Sequence, residues 1–336
     1  MAGVRLQDVA ELAGVSMKTV SNVVHEYPHV SERMRERVQK AIDELGYRPN
    51  LLGRRLATGR TGLLALAFAD VTLPYFAELA RRVSDVAEEQ GYRVLLEQTD
   101  STLEGERAAV SGIEAGMVDG MIFQPSVMSS AELAQTRSSL PMVILGEGAA
   151  PLSIDRVMID NVAAAREATA HLLGLGRSRI AFAGHEPGRL SRTSELRIAG
   201  YQSALEEAGV IPDPSLLIPS DAISPVDGAA AIGAALDAGL RFDAVMCRDD
   251  LAAIGALRAL QERGLRVPED VAITGWDNTL MTAVTFPSIT TVAPDLTALA
   301  TQAIAMLVER IDGLSSMGRH VLVPHRLVTR ESAPSE

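Results

Sequence analysis

Residues 25–29 read His25-Glu26-Tyr27-Pro28-His29, letter for letter the H-E-x-x-H pattern of zinc peptidases. That chemistry needs both imidazoles on one helical face, a turn apart, with the glutamate beside the metal-bound water. Pro28 sits between the two histidines and blocks the helix that would align them. No metal site is expected there. The chain also lacks a G-x-G-x-x-G following a strand, a phosphate-binding P-loop and a G-x-S-x-G elbow, and its carboxylates form no recognisable catalytic pair. Cys247 is the single cysteine, so no intrachain disulfide is possible, and its place in an apolar run reads as packed core. The sequence calls for no cofactor.

A different chemistry is offered by "LQDVAELAGVSMKTVSNVV", residues 6–24. Leu6, Val9, Ala10 and Ala13 recur at helical spacing, and Gly14 stands where a left-handed stop belongs. Ser16 is placed to cap a second helix with Val20, Val23 and Val24 on its apolar side. Ser31 can cap a third helix over 32–45, closed by Gly46. Small Ala10 lets the first two helices approach, and Val20 plugs the core between them. A plain three-helix bundle would satisfy the same pattern. The outer face of helix 2, however, carries Met17, Lys18, Ser21 and Asn22, short donors and acceptors plus one cation suited to base edges and phosphates.

Charge agrees with that reading. The net charge is −12 over 336 residues, yet residues 1–60 hold 10 basic and 7 acidic side chains. A basic front end on an acidic body suits an anionic polymer met only at the front. Both lysines of the chain, Lys18 and Lys40, fall in that front end. No apolar run has signal-peptide or membrane-span character, so a soluble cytoplasmic protein is expected.

Residues 47–60, "YRPNLLGRRLATGR", read as a linker with a short helix capped by Asn50, closing near Gly59 and weakened by Gly53, that folds against a partner or DNA; a plain interdomain tether fits the same residues. From residue 61 strands and helices alternate. Strands are expected in 62–70, 93–100, 118–126 and 141–148, and a second series in 179–185, 215–220, 243–250 and 270–278. Two successive βα series imply two parallel sheets with helices on both faces. Ligands of such sheets sit beyond the carboxyl ends of the strands. The candidates are therefore Asp70, Gln124, Glu147, His185, Asp249 and residues 276–278.

With these motifs in view, the chain resembles the LacI/GalR family of transcriptional regulators from about residue 4 to residue 333. The resemblance rests on residues 6–24, "VSERMRERVQKAIDELGYRPN", "DNVAAAREATAHLLGLG", "LRIAGYQSALEEAG", "ITGWDN", "PSITTVAPD" and "RLVTRES" in that order. It implies an α/β protein. An N-terminal helix-turn-helix domain (1–46) would lead through a hinge helix (47–60) into a periplasmic-binding-protein-like core of two doubly wound parallel-sheet subdomains, 61–161 with 293–323 and 162–292 with 324–336. It further implies a homodimer on pseudo-palindromic operator DNA, usually a repressor, with a small-molecule effector between the subdomains. Corepressed members also exist.

By the same resemblance, Met17, Lys18 and Asn22 match base-reading positions. Thr19, Ser21 and Ser31 match phosphate contacts, while Leu6, Gln7, Ser16, His29 and Asn50 support docking. In the hinge, Leu56 matches the residue that wedges into the central base step, flanked by Gly53, Arg54 and Ala57. Many relatives carry arginine where Asn22 stands, and alanine where Gly53 stands. Arg197 matches a clamp on ligand hydroxyls, with Asp249 and Asp277 as further polar positions and Tyr75, Phe76 and Trp276 as an apolar floor. Such a trio fits a neutral sugar or polyol. Phe76 and Thr193 also lie where purine-responsive relatives use similar residues. Gly146 replaces a frequent carboxylate, with Glu147 one place later. Asp249 and Asp277 could instead bridge Arg197 or cap helices, and Trp276 could be core. A secreted solute-binding protein could be built on the same core but would need a signal peptide and has no use for residues 1–60. A sugar- or nucleoside-processing enzyme could use the same sheets but would need the catalytic motifs that are missing here.

Overall fold

The computed structural model describes residues 4–24, 27, 29–47, 60–112, 116–135, 140–148, 151–188, 190–220 and 223–335. The chain divides into two units, Met1–Thr61 and Gly62–Glu336, each described by itself.

In the first unit, α1 (Leu6–Ala13) ends at Gly14, whose φ of 58° is the left-handed stop foreseen. Helix α2 (Met17–Val24) and α3 (Glu32–Leu45) follow, the latter closed by Gly46. Val9, Ala10, Ala13, Val20, Val23, Val38 and Ala41 form its small core, joined by Tyr47. The side chain of Ser16 accepts a bond from the Thr19 amide and so caps α2. Ser31 stands at the N-cap of α3 in extended conformation but makes no side-chain capping bond.

The second unit is two six-stranded sheets. The first sheet holds β1 (Leu63–Phe68), β2 (Arg93–Gln98), β3 (Gly120–Phe123), β4 (Met142–Leu145), β5 (Asp155–Ile159) and β11 (His320–Val323), in the order β11-β5-β4-β3-β1-β2. All its pairings are parallel. The second sheet holds β6 (Ile180–His185), β7 (Leu217–Pro219), β8 (Ala244–Cys247), β9 (Ala272–Trp276), β10 (Thr290–Pro294) and β12 (His325–Val328), in the order β12-β10-β9-β8-β6-β7. Only β12 runs antiparallel, against β10. The inner strands β1, β3, β4 and β8 are short apolar runs buried almost throughout, as a parallel sheet covered on both faces requires.

Helices connect the strands: α4 (Pro74–Glu89), α5 (Leu103–Gly112) and α6 (Ser130–Gln135) in the first layer, then α7 (Asn161–Gly174), α8 (Arg192–Glu207), α9 (Pro225–Asp237) and α10 (Asp250–Glu262) in the second. The last helix, α11 (Leu296–Ile311), returns to pack on the first sheet and α4. The chain thus passes between sheets three times: after β5, after β10 and between β11 and β12. Ala293 and Pro294 pair with Arg326 and His325, so the return to the first layer begins two residues later than residue 293, where the sequence placed it.

Beyond the eight strands expected, the structure adds β5, β10, β11 and β12, and helices α6 and α11 are likewise absent from the sequence reading. Asp155 and Arg156 interrupt the apolar pattern of β5, yet Asp155 is fully buried. Arg310 on α11 grips both its oxygens at 3.0 and 2.9 Å, and the Arg319 side chain and amide add bonds of 2.8 and 2.7 Å. The ion cluster staples α11 and β11 to the sheet. It supplies the bonds a buried carboxylate needs.

Candidate functional site

In the first unit, α2 presents Met17, 53 % exposed, and the exposed Lys18 at its start, with Thr19, Ser21 and Asn22 half-buried behind them. Apolar Val20 and Val23 must face the core, and that periodicity turns the polar positions outward. The Ser16 and Thr19 hydroxyls lie 2.9 Å apart. Gln7, Ser16 and Met17 share one shallow surface hollow, where Gln7 Nε2 donates to Glu11 at 3.0 Å. Leu6 is half-buried against the core, a packing role. His29 and Ser31 are exposed, and the His29 ring meets Tyr27 edge-on at 6.2 Å. His25, Glu26, Pro28, Asn50, Gly53, Arg54, Leu56 and Ala57 lie outside the described residues. Among the described residues no three His, Cys, Asp or Glu side chains are grouped to hold a metal ion.

In the second unit, a cavity with about 870 Å³ of empty space, part of it open to solvent, lies between the layers at the carboxyl ends of the strands. From the first layer it is lined by Tyr75 and Phe76 at the start of α4, Gln124 after β3 and Glu147 after β4. From the second come Thr193 and Arg197 of α8, Asp249 after β8, and Trp276 and Asp277 at the end of β9. Asp70 is not among the lining residues. Its carboxylate turns back to accept bonds from the Thr72 amide and hydroxyl, both at 2.8 Å, in the turn leading to α4.

Arg197 is the hub. Its Nε donates to Asn161 Oδ1 at 2.9 Å, its Nη1 donates to the Arg248 carbonyl, and its guanidinium carbon lies 3.8 Å over the Trp276 ring. Burial pulls its pKa down, and Asp277 and Glu147 oppose that pull. Glu147 reaches across the cavity, accepting from the Thr193 hydroxyl at 2.9 Å and from the Asn161 amide. Gly146 has φ of 81°, a conformation that favours glycine over a carboxylate residue, so the acidic group is displaced to 147. Asp249 caps α10 through the Ala252 amide at 2.8 Å while lining the cavity. Trp276 is likewise both fully buried core and cavity wall.

Electrostatics set the site apart. Burial raises the Asp277 carboxyl well above the ordinary range, against the pull of Arg197, and Asp250 is raised to about 7 by burial despite bonds from Thr291 and Thr279. Burial, reinforced by Asp277 and Glu147, also raises the Tyr75 phenol. Three polar atoms of lining residues lack any partner among the described residues, Gln124 Oε1, Trp276 Nε1 and Arg248 Nε. Sequence reasoning missed Arg248, Asp250 and Asn161. The first two flank Asp249 just beyond β8, where the strand-end rule pointed. Nothing local marks Asn161, whose role comes from the facing layer.

Comparison with known proteins bears on both units. Residues 5–50 match the model of the bacterial regulatory proteins of the lacI family, and residues 169–333 match a periplasmic binding protein-like domain. The transcriptional regulator DegA of Bacillus subtilis is 32 % identical over 97 % of both chains. The chain belongs to the LacI family. A solved structure of a CelR–cellobiose complex is 30 % identical with a TM-score of 0.74, over 98 % of this chain and 99 % of that one. The Lac repressor dimer, solved on its operator with the anti-inducer ONPF, is 27 % identical with a TM-score of 0.86, over 99 % of this chain and 100 % of that one.

LacI-family membership makes the chain a DNA-binding transcriptional regulator rather than an enzyme or a solute carrier. Members of this family bind operator DNA as dimers and carry a ligand-binding domain. No helix of the described residues is long and apolar enough to cross a membrane.

Proposed function

We propose that this LacI-family regulator is a repressor whose operator affinity is set by a neutral sugar or polyol held between the two layers. The observation that carries the ligand class is that the unpartnered atoms of the cavity wall include both an acceptor and donors, Gln124 Oε1 against Trp276 Nε1 and Arg248 Nε. Gln124 Oε1 asks for a donor and Trp276 Nε1 for an acceptor, and both are buried without one. A buried polar atom left unpaired costs about 1–3 kcal/mol, so the cavity favours a ligand that both donates and accepts. Hydroxyls do both. Around the cavity the carboxyls of Glu147, Asp249, Asp250 and Asp277 stand beside Arg197 and Arg248, and although burial raises Asp277 and Asp250, the lining holds no surplus of positive charge to call for a phosphorylated or carboxylated ligand. Phe76 is stacked on Phe68 at 5.3 Å and edged by Tyr75, so little of its ring is left for a purine. The related CelR was solved with cellobiose, which supports the sugar reading.

On the DNA side, α2 is taken to enter the major groove with Met17, Lys18 and Asn22 at base edges and Thr19, Ser21 and Ser31 at phosphates. Asparagine pairs two-pronged with adenine, so the half-site differs from that of relatives with arginine there. Leu56 is taken to wedge the central step, with Asn50, Gly53, Arg54 and Ala57 beside it. The homodimer is supported by exposed apolar side chains on the second layer, Leu280, Val284 and Phe286 at 76, 75 and 86 %.

A thermal-shift screen of neutral sugars, polyols, purines and sugar phosphates, followed by DNA titration with each hit, tests the proposal. A neutral hydroxylated hit that weakens DNA binding supports it. A hit confined to purines or phosphates overturns the ligand class, and a hit that tightens DNA binding makes the ligand a corepressor.

A further inference from the structure

We propose that Arg37 is a positioning residue for DNA recognition: reaching back from α3, its guanidinium fixes the turn that sets where and at what angle α2 begins. The inference rests on the reading of α2 as the base-reading helix. Arg37 Nε donates to the Ala13 carbonyl at 2.5 Å and Nη2 donates to the Gly14 carbonyl at 2.6 Å. These carbonyls stand at the carboxyl end of α1, where helix acceptors lack amide partners and the helix dipole gathers negative charge. A planar fork serves two neighbouring acceptors at once, which an ammonium on a flexible stem does not.

Gly14 completes the device. Its φ of 58° makes the turn, and a Cβ built on it would stand 2.8 Å from Arg37 Nη2. The glycine therefore leaves room for the guanidinium as well as for the backbone. On either side the turn is held by the Val15 amide, which donates to Ala10 at 3.0 Å, and by the Ser16 cap on Thr19. The fork's own anchor is firm, because the next residue on α3, Val38, is fully buried in the unit's core. Arg37 itself is exposed, and exposed bonds of this kind add little to folding. Their effect falls on geometry: base contacts tolerate an error of only about 0.5 Å or 10–20° in the element that carries them.

An exposed arginine in a DNA-binding unit could instead touch a phosphate, and salt separates the two roles. Each lost phosphate contact lowers the slope of log affinity against log salt by about 0.9, whereas a misplaced helix leaves the slope alone. The test uses full-length protein and a duplex enriched by the wild type from a randomised pool. Arg37→Met is expected to lose at least tenfold in affinity for that duplex with the salt slope unchanged. Amide exchange should quicken at 14–18 while 38–45 stay protected. Arg37→Lys, which keeps charge and stem, should recover less than half of the loss in log affinity. Unchanged affinity, a slope lower by about one, full rescue by lysine, or loss of protection throughout 6–45 in both variants each overturns the proposal. Lys18→Ala and Asn22→Ala run alongside: if they leave sequence selectivity intact, it is the recognition-helix reading that has failed.

Discussion

The Arg197 guanidinium carbon lies 3.8 Å from the centre of the Trp276 ring, so a half-buried cation rests on a fully buried aromatic face in the wall of the cavity. A cation held this way is worth about 0.5–1 kcal/mol where water still reaches it, and about 2 kcal/mol once a ligand excludes that water. Its bonds to Asn161 and the Arg248 carbonyl fix the remaining direction of the fork. Arg197→Ala should therefore weaken binding of the screen's hit by tenfold or more, while Trp276→Phe, which keeps the face and removes Nε1, should cost about tenfold or less. Calorimetric titration measures both. Undiminished affinity in both variants would mean that the ligand lies elsewhere.

Stability should fall as pH rises toward and through neutrality. Asp250 is held at about 7 by burial, against an ordinary carboxyl near 4 in the unfolded chain, and Asp277 is raised as well. Between those values the folded state binds more protons than the unfolded state, so the contribution is fully present below about pH 4 and is lost by the time pH has passed 7. Other carboxylates pull the opposite way at lower pH, so the informative comparison is with Asp250→Asn. That variant should show a smaller drop in melting temperature between pH 5.5 and 8 than the wild type. Parallel curves would remove Asp250 as the cause.

How far the sequence foretold this site can be seen at its edges. Gln124, Glu147 and Asp249 were legible because ligands gather beyond the ends of parallel strands and the strands themselves are plain apolar runs. Asp70 obeys the same rule, yet its carboxylate is spent on Thr72 within a turn, a choice of rotamer that no spacing encodes. Strand β5 was hidden because Asp155 breaks its pattern, and the arginines that make this burial tolerable come from residues 310 and 319, more than 150 positions away. The first unit was easier, since Gly14, Ser16 and Gly46 mark its helix ends locally.

That ion cluster carries its own prediction. Burial works to raise the Asp155 carboxyl, but the bonds from Arg310 and Arg319 prevail and hold it well below the ordinary range. Removing Arg310 leaves much of a buried charge uncompensated, at a cost of about 3–5 kcal/mol. Arg310→Met should lower the chemical-denaturation midpoint of the second unit accordingly. A change under about 1 kcal/mol would show that Arg319 alone suffices.

Phe286 tests the dimer. At 86 % exposure beside Val284 at 75 %, it is a costly residue to leave in water unless another surface covers it. Phe286→Glu should shift the sedimentation equilibrium toward monomer and weaken binding to a two-half-site duplex more than to a single half-site. An unaltered dimer would place the interface on another face.

Glu147 offers the sharpest view of coupling. It leaves the first layer after β4 and takes bonds from Thr193 and Asn161 of the second, and Asn161 passes the connection to Arg197. A ligand that engages Arg197 must therefore act on the same chain of bonds that ties the layers together. If ligand and DNA favour different arrangements of those layers, each changes the other's affinity by one common factor, a requirement of linkage. Such factors typically run from about 5 to 150. Glu147→Ala should shrink that factor by at least threefold, read both as the effect of ligand on DNA affinity and as the effect of DNA on ligand affinity. Agreement between the two readings checks the thermodynamics, and a factor unchanged from wild type in both would show that Glu147 does not carry the signal.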